Sequence, residues 1–371
     1  MKERLCRIKF KRFWFLLLAP IALVLNIVAV KQPSFAEWYA AHLYPWISLA
    51  LNFITSLVPF SIAEVLVFTL PIAALVLLVR FIVRLVRRKG KRGETAVRFA
   101  VNLLCIASAV YFAFTLNCGI NYSRRTFAQT SGLSVQPSSK EELIALCNSL
   151  AEDVNSLRTR VQTDSNSVMK LSQDSIYDTA EEMKTAYDKI HTQYPLLRAG
   201  YGRPKPVFAS RLMSQTNITG IFFPFTFEAN VNTDIPAYSI PVTMGHELSH
   251  LRGYMREDEA NFIGYLACEQ SGNPDFEYSG KMLAFIYASN ALYDTDRDAA
   301  GQLYATLSEG VQRDLRANSE YWKQFEGPVA QVSTSLNDSY LKANHQESGV
   351  KSYGAMVDLL LAEYRTKQGA R

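Results

Sequence analysis

Apolar and polar positions divide the chain into two unlike parts. Before residue 117 the apolar residues come in long runs. After it they recur at helical or strand spacing between charged positions. Residues 13–30 (FWFLLLAPIALVLNIVAV) carry no charge over eighteen positions, close to the roughly 20 needed to cross a bilayer core. Six Lys/Arg precede this run, as in a signal-peptide n-region. The run is longer than a signal h-region and no A-x-A site follows, so it predicts a retained span over about 13–30. Residues 65–79 continue through Arg80 into Phe81-Ile82-Val83 and predict a second span over about 62–83. Arg80 and Arg84 reach toward the headgroups, and Pro71 is a tolerated kink. A third span, over about 98–116, is centred on 101–114 and diluted by Asn102 and Ser108. The run 46–60 (WISLALNFITSLVPF) is short, contains Asn52, Thr55 and Ser56, and closes on a proline. It predicts an interfacial or re-entrant helix.

The second part reads as globular. Ser138-Ser139-Lys140-Glu141-Glu142 has the form of a capped helix start, and helical periodicity continues with interruptions to about 193. From 204 to 240 the pattern changes to prolines with aromatic and β-branched residues between them. The run GIFFPFTFEANVN predicts two short extended segments bent at Pro224. After Pro241 helical spacing resumes through Arg252. The predicted architecture is α+β and mainly helical: a membrane anchor over 1–116, a helical scaffold over 117–200, and a third unit over 201–371 with a small edge-strand sheet. An edge strand of this kind can pair with an extended peptide.

Charge adds a direction. Residues 1–98 hold fifteen Lys/Arg and four Asp/Glu, a net of +11, leaving 24 basic and 30 acidic residues beyond, a net of −6. The +5 of the whole chain therefore averages a basic membrane part and a mildly acidic domain. Basic residues beside apolar spans speak for membrane topology and against nucleic-acid binding. The positive-inside rule puts the N-terminus and the RRKGKR cluster at 87–92 in the cytoplasm. Residues from about 117 onward then lie outside it, in a multi-pass protein of the cell membrane. If 46–60 crossed, that direction would reverse. The five cysteines form no C-x-x-C pair, which argues against a cysteine-based zinc or redox site. Cys118, Cys147 and Cys268 leave room for one disulfide that nothing in the sequence selects.

Candidate chemistry sits at His246-Glu247-Leu248-Ser249-His250. On a helix, two histidines four apart share one face and can converge on a Zn²⁺ ion, with Glu247 beside the metal. Zinc lowers the pKa of water to roughly 7, and Glu247 can take its proton and return it to a leaving amine. A random chain of this length contains the pattern on the order of once in a hundred, so the motif alone does not decide. Two of only five histidines are spent here, however, and acidic residues follow at once. Gly253 can end the helix sharply. Arg256 stands where a metzincin would place its third histidine. Glu257 and Glu259 are the candidates for the third ligand.

Glu257-Asp258-Glu259-Ala260-Asn261 resembles the gluzincin pattern E-x-x-A-D, with asparagine in place of aspartate. That likeness implies Glu257 as ligand and Asn261 as its support, bonding a zinc histidine. The longer run GIFFPFTFEANVNTDIPAYSIPVTMGHELSHLRGYMREDEANFIGYLAC and the C-terminal GVKSYGAMVDLLL resemble an uncharacterised family of bacterial membrane proteins predicted to be zinc peptidases. The resemblance implies a gluzincin-like domain and supplies no substrate.

An oxyanion donor is also needed, often a Tyr or His across the cleft. Tyr353 and His345 are the first candidates, with Tyr340, Tyr287 and Tyr293 behind them. Asn230 and Asn232 could bind substrate backbone or hold a turn, and His42 and His191 read as structural. The expected protein is a membrane-anchored zinc metallopeptidase. Its zinc is held by His246, His250 and Glu257, with Glu247 as general base, and its partners are a peptide or protein substrate and the lipid bilayer. A non-turnover envelope sensor or interaction protein is the alternative.

Overall fold

The computed structural model describes residues 13–344, 346 and 353–369, apart from the side chains of 13, 353 and 354. The first part is built from α1 (Leu18–Lys31), α2 (Pro33–His42), α3 (Tyr44–Ser56), α4 (Ile62–Arg87) and α5 (Arg92–Asn117). Three helical stretches, Trp14–Lys31, Ile62–Arg87 and Lys89–Asn117, are long and apolar enough to cross a membrane. At 1.5 Å per residue, the 26 residues of α4 extend about 39 Å, beyond the ~30 Å hydrocarbon core. Ser61 caps α4 by accepting from the Glu64 amide, and the helix continues through Pro71. Most side chains of these stretches are bare.

Among the described residues, the ties of α4 and α5 to the globular part lie at one end of these helices. Glu228 accepts hydrogen bonds from the Ile62 and Ala63 amides at 3.0 and 2.7 Å, at the start of α4. In return Glu64, in the first turn of α4, accepts from the Phe208 and Ala209 amides at 3.1 and 2.7 Å. At the end of α5, Asn117 donates to the Pro224 carbonyl at 2.8 Å. The basic residues Arg84, Arg87, Lys89 and Arg92 lie at the opposite ends of α4 and α5.

Helix α3, within the run expected to be interfacial, has an inverted amphipathic pattern. Its buried positions are Tyr44, Pro45, Ser48, Asn52 and Thr55, while Trp46, Phe53 and Ile54 are exposed. Two of its polar side chains, Asn52 and Ser48, bond to the globular part. Asn52 donates to Phe227 O at 2.8 Å and accepts from Gly202 N, and Ser48 bonds the Tyr201 hydroxyl.

The globular part contains α6 (Lys140–Arg158), α7 (Ile176–Ile190), β1 (Lys205–Pro206), β2 (Gly220–Phe223), β3 (Glu228–Val231), α8 (Ser239–Leu251), α9 (Glu257–Glu269), α10 (Pro274–Thr295), α11 (Pro328–Ala343) and α12 (Tyr353–Gly369). Helix α6 opens with the capping box of Ser139 and Glu142. Between α6 and α7 the chain forms turns and one isolated bridge, Thr163 to Met169, where sequence periodicity was interrupted. One continuous cluster of buried side chains joins α6 and α7 to α8, α9, α10 and α12, so 117–200 and 201–371 share a core. The sheet order is β1-β3-β2, with β1 parallel and β2 antiparallel to β3. The two extended segments thus turn at Pro224 as expected, and Phe227 takes a positive φ of 52° to complete the turn. Among the described residues Cys105, Cys118, Cys147 and Cys268 are free thiols, so the disulfide considered from sequence does not form there.

The Lys205–Glu228 ion pair ties these parts together. Its N···O distance is 2.5 Å, with side chains 6% and 0% exposed. Lys205 also donates to Thr55 O and Phe60 O, so every charge in the joint has partners. Breaking such a pair leaves one buried charge without compensation. Glu228→Ala is therefore expected to destabilise the protein by roughly 3–5 kcal/mol. Denaturant unfolding of the full chain in detergent micelles measures this, and a loss below 1 kcal/mol would contradict it.

Candidate metal centre

Helix α8 is buried almost throughout, and His246 and His250 stand one turn apart on one of its faces. The helix ends at Gly253, whose φ of +84° suits glycine; a Cβ there would also lie 3.1 Å from the Tyr44 ring. The chain then turns into α9, which crosses α8 at two glycines. A Cβ on Gly264 would lie 2.9 Å from His246 N and 3.0 Å from Val242 O. A Cβ on Gly245 would lie 3.0 Å from the Gly264 Cα. Backbone contact at this crossing brings the face of α9 that carries Glu257 and Asn261 against the two histidines.

The result is a three-residue cluster. His246 Nε2 and His250 Nε2 are 2.9 Å apart, and Glu257 lies 3.3 Å from the first and 3.7 Å from the second. All three ligand atoms fall within 4.8 Å of one another. Tetrahedral zinc with Zn–N near ~2.05 Å would hold its ligand atoms roughly 3.3 Å apart, so the spacing fits. The hydrogen bonds fix the rings. His250 Nδ1 lies 2.7 Å from the Tyr254 carbonyl, which can only accept, so Nδ1 carries the proton. His246 Nδ1 likewise donates to Asn261 Oδ1 at 2.7 Å, and Asn261 donates from its amide to Tyr287. Both Nε2 atoms therefore point lone pairs at the same small space, an arrangement that calls for a proton or a cation between them.

Electrostatics show what happens with a proton alone. Burial works against charge on His246, but Glu257 outweighs it and holds the ring up at about 9. His250 is pushed down to about 4 by burial and by the charge on His246. Glu257 is held down at about 2: its burial is overcome by its hydrogen bond to His246 and the histidine charges. Glu247 lies beside this cluster beneath β2. Burial raises its carboxyl to about 8, against the lowering effects of His246 and the Phe222 amide, and its Oε2 has no hydrogen-bond partner. Gly220 makes this fit, since a Cβ there would collide with Glu247 Oε1 and lie 2.8 Å from its Cδ.

Strand β2 is at the sheet edge. Asn232 N donates to Thr219 O, and the alternation of an antiparallel ladder then points the N–H and C=O of Gly220 and Phe222 to the open side. The open edge thus runs over Glu247.

Other candidates separate clearly. Glu259 is buried and turned away, accepting from Phe127 N and Arg256, so it does not join the cluster. Asn232 is bonded to Ser214, Ile218 O and Asp234 N within its own turn. Asn230 donates to Ile221 O and Glu228 O, and its Oδ1 is buried without a partner. Tyr287 is engaged with Asn261, and Tyr293 packs under Arg297. Tyr340 accepts from the Tyr122 hydroxyl at 3.0 Å, and the charge of Glu257 acts on both phenols. Tyr353 opens α12, but its side chain, like the whole of His345, lies outside the described residues. His42 Nδ1 bonds Trp38 O within its own helix, and His191 Nδ1 is buried without a partner.

Sequence reasoning missed Gln346, which donates to Met255 O and accepts from Glu257 N, bracing the turn into α9. It also missed the crossing glycines, for which a glycine inside each of two successive apolar helices was the available signal.

Residues 39–361 match a family described as "Protein of unknown function (DUF3810)". The chain belongs to that family. No curated protein and no solved structure matches it. The DUF3810 match runs from α2 into α12, so it takes in two of the three long apolar helices as well as the cluster of His246, His250 and Glu257 and the sheet.

The crossing generates a prediction. Gly264→Ala puts a methyl group against backbone atoms that cannot yield, and overpacking of this kind costs roughly 1–3 kcal/mol. Thermal unfolding of the full chain should register that loss, whereas Gly301→Ala, in open space, should change little.

Proposed function

We propose that this DUF3810 protein is a membrane-anchored, gluzincin-like zinc metallopeptidase. His246, His250 and Glu257 are its metal ligands and Glu247 is its general base. The observation that carries the reading is the fixed pair of Nε2 lone pairs facing Glu257, beside a buried carboxylate with no hydrogen-bond partner on one oxygen. A bound zinc supplies Lewis acidity, polarising a peptide carbonyl and acidifying water. Asn261 and the Tyr254 carbonyl hold the histidine tautomers. Glu247 takes a proton from the attacking water and delivers it to the leaving nitrogen; the water oxygen joins the carbonyl carbon as the C–N bond breaks. The open edge of β2 accepts the substrate backbone as an added strand. The basic cluster at 87–92 supports a multi-pass arrangement with this site outside the cytoplasm.

The test is zinc content and peptide cleavage of the full chain in detergent. Glu247→Gln should keep stoichiometric zinc and lose about 10²–10⁴-fold in cleavage. His246→Ala should lose the zinc. Stoichiometric zinc with no cleavage by the unaltered chain would instead favour a sensor that binds peptides without turnover, and absence of zinc would end both readings.

Metal binding should also depend on pH. His246, held up at about 9 without metal, must give up its proton to bind. Apparent zinc affinity should therefore rise with pH, about tenfold per unit, and level off near 9. Calorimetry in buffers of differing ionisation heat should show about one proton released per metal at pH 7. Affinity independent of pH between 6.5 and 8.5 would contradict the assignment.

A further inference from the structure

The rim of the site is attached to the outer end of a candidate span. Asn117, the last residue of α5, bonds the Pro224 carbonyl just after the edge strand β2. Phe114, one turn earlier, stacks edge-on against Tyr340 of α11 at 6.3 Å. Cys118 contacts Met255, two residues before Glu257, at 3.6 Å. The start of α4 holds Phe208 and Ala209 through Glu64. Thus Pro224 and Met255, which flank β2 and Glu257, and the segment after β1 all stand where two long apolar helices end.

The side chains at that level are bare and apolar. Phe208 is 91% exposed and Phe225, beyond Pro224, is also exposed. On α3, Trp46 is 72% exposed and Phe53 lies on the same outward side, while Ser48, Asn52 and Thr55 face the protein. On α11, Val332 and Leu336 continue the line from Tyr340 at helical spacing, Leu336 being 67% exposed. In water an inverted helix such as α3 would bare large side chains and bury its polar ones. Beside the ends of spans it suits a helix lying in the headgroup region, where Trp and Phe anchor. The bare surface of α4 begins at Val65, one residue after Glu64, so the apolar face of the spans and that of the globular part are continuous.

We infer that this face docks on the lipid bilayer and that the site acts there, on an extended peptide segment held next to the membrane by the substrate's own apolar anchor. The open edge of β2 is where such a segment would add as a strand, with Ile221 on β2 exposed beside it. The substrate class rests on the peptidase reading; the docking does not. The bond broken is an ordinary peptide C–N bond, water giving its OH to the new carboxyl and its H to the new amine.

The experiment uses the full chain in phosphatidylethanolamine/phosphatidylglycerol liposomes and has two arms. In the first, p-benzoylphenylalanine is placed at position 208 or 336, and at 304 on a helix that packs on α6 and α10. Photolysis should yield phospholipid adducts at 208 and 336, at least tenfold above those at 304. Equal capture at all three positions would overturn the docking, whatever the activity. In the second arm one peptide mixture is offered free or joined to a twenty-residue Leu/Ala helix inserted in the same liposomes. The anchored form should be cut at least tenfold faster, and Glu247→Gln should cut neither. Equal rates would overturn the substrate class. Lipid capture with no cleavage of either form would sink the peptidase reading and the substrate class with it, while supporting the docking.

Discussion

The contact between Gly245 and Gly264 is the constraint on which the site depends. Two helices packed through ordinary side chains stand 8–10 Å apart. Here the absence of Cβ atoms lets the backbones of α8 and α9 touch. At that distance the first turns of α9 reach the face of α8 that carries the histidines; Glu257 meets both rings and Asn261 meets that of His246. The sharp turn at Gly253 and the brace of Gln346 set the angle at which α9 starts. Ser249 and Tyr187 then fill the polar gap behind the crossing. Tyr187 donates to Gly245 O, and the Ser249 hydroxyl lies within bonding distance of Gly245 O at 2.9 Å and Ala260 O at 3.3 Å.

Around that crossing most buried charges are handled by ion pairs, while Arg252 is held by the Arg198 and Leu248 carbonyls and the rings of Tyr187 and Tyr201. Lys205 meets Glu228, Arg124 meets Glu37, and Arg158 meets Asp314. Glu259 meets Arg256 and the Phe127 amide. Glu247 has no such cation; its nearest positive charge is that of a histidine in the cluster. A carboxyl kept buried without an ion-pair partner raises the free energy of its charged form, and burial lifts it to about 8. Groups perturbed in this way mark functional sites more often than structural ones. The same logic separates Glu257 from Glu259, two residues apart on one helix and so pointing in opposite directions.

The long apolar helices and the globular part form one construction. Glu228 and Glu64 each reach across the joint to cap backbone amides of the other side, and Asn117 closes it at the end of α5. Carboxylates at a helix start are favoured by the helix dipole as well as by the amides they bond. Three polar ties at the ends of apolar helices fix the depth of the globular part relative to those helices.

Sequence alone determined the features that depend on local pattern. Long uncharged runs gave three helices of spanning length, and the change of pattern around Pro224 gave two short strands. A capping serine placed the start of α6, and a spacing of four put His246 and His250 on one helical face. It also favoured Glu257 for the cluster and Asn261 for its support, through their position in a motif. Only the tertiary structure decided what depends on distance between segments. It turned Glu259 away, put Glu247 under the edge of β2, and assigned Gln346 a bracing role that nothing in its surroundings announced. It also showed that Ser48, Asn52 and Thr55 of α3 face the protein while Trp46, Phe53 and Ile54 face outward. Periodicity reports that a helix has two faces; which neighbour each face meets is fixed by long-range packing, and a local pattern carries no information about that.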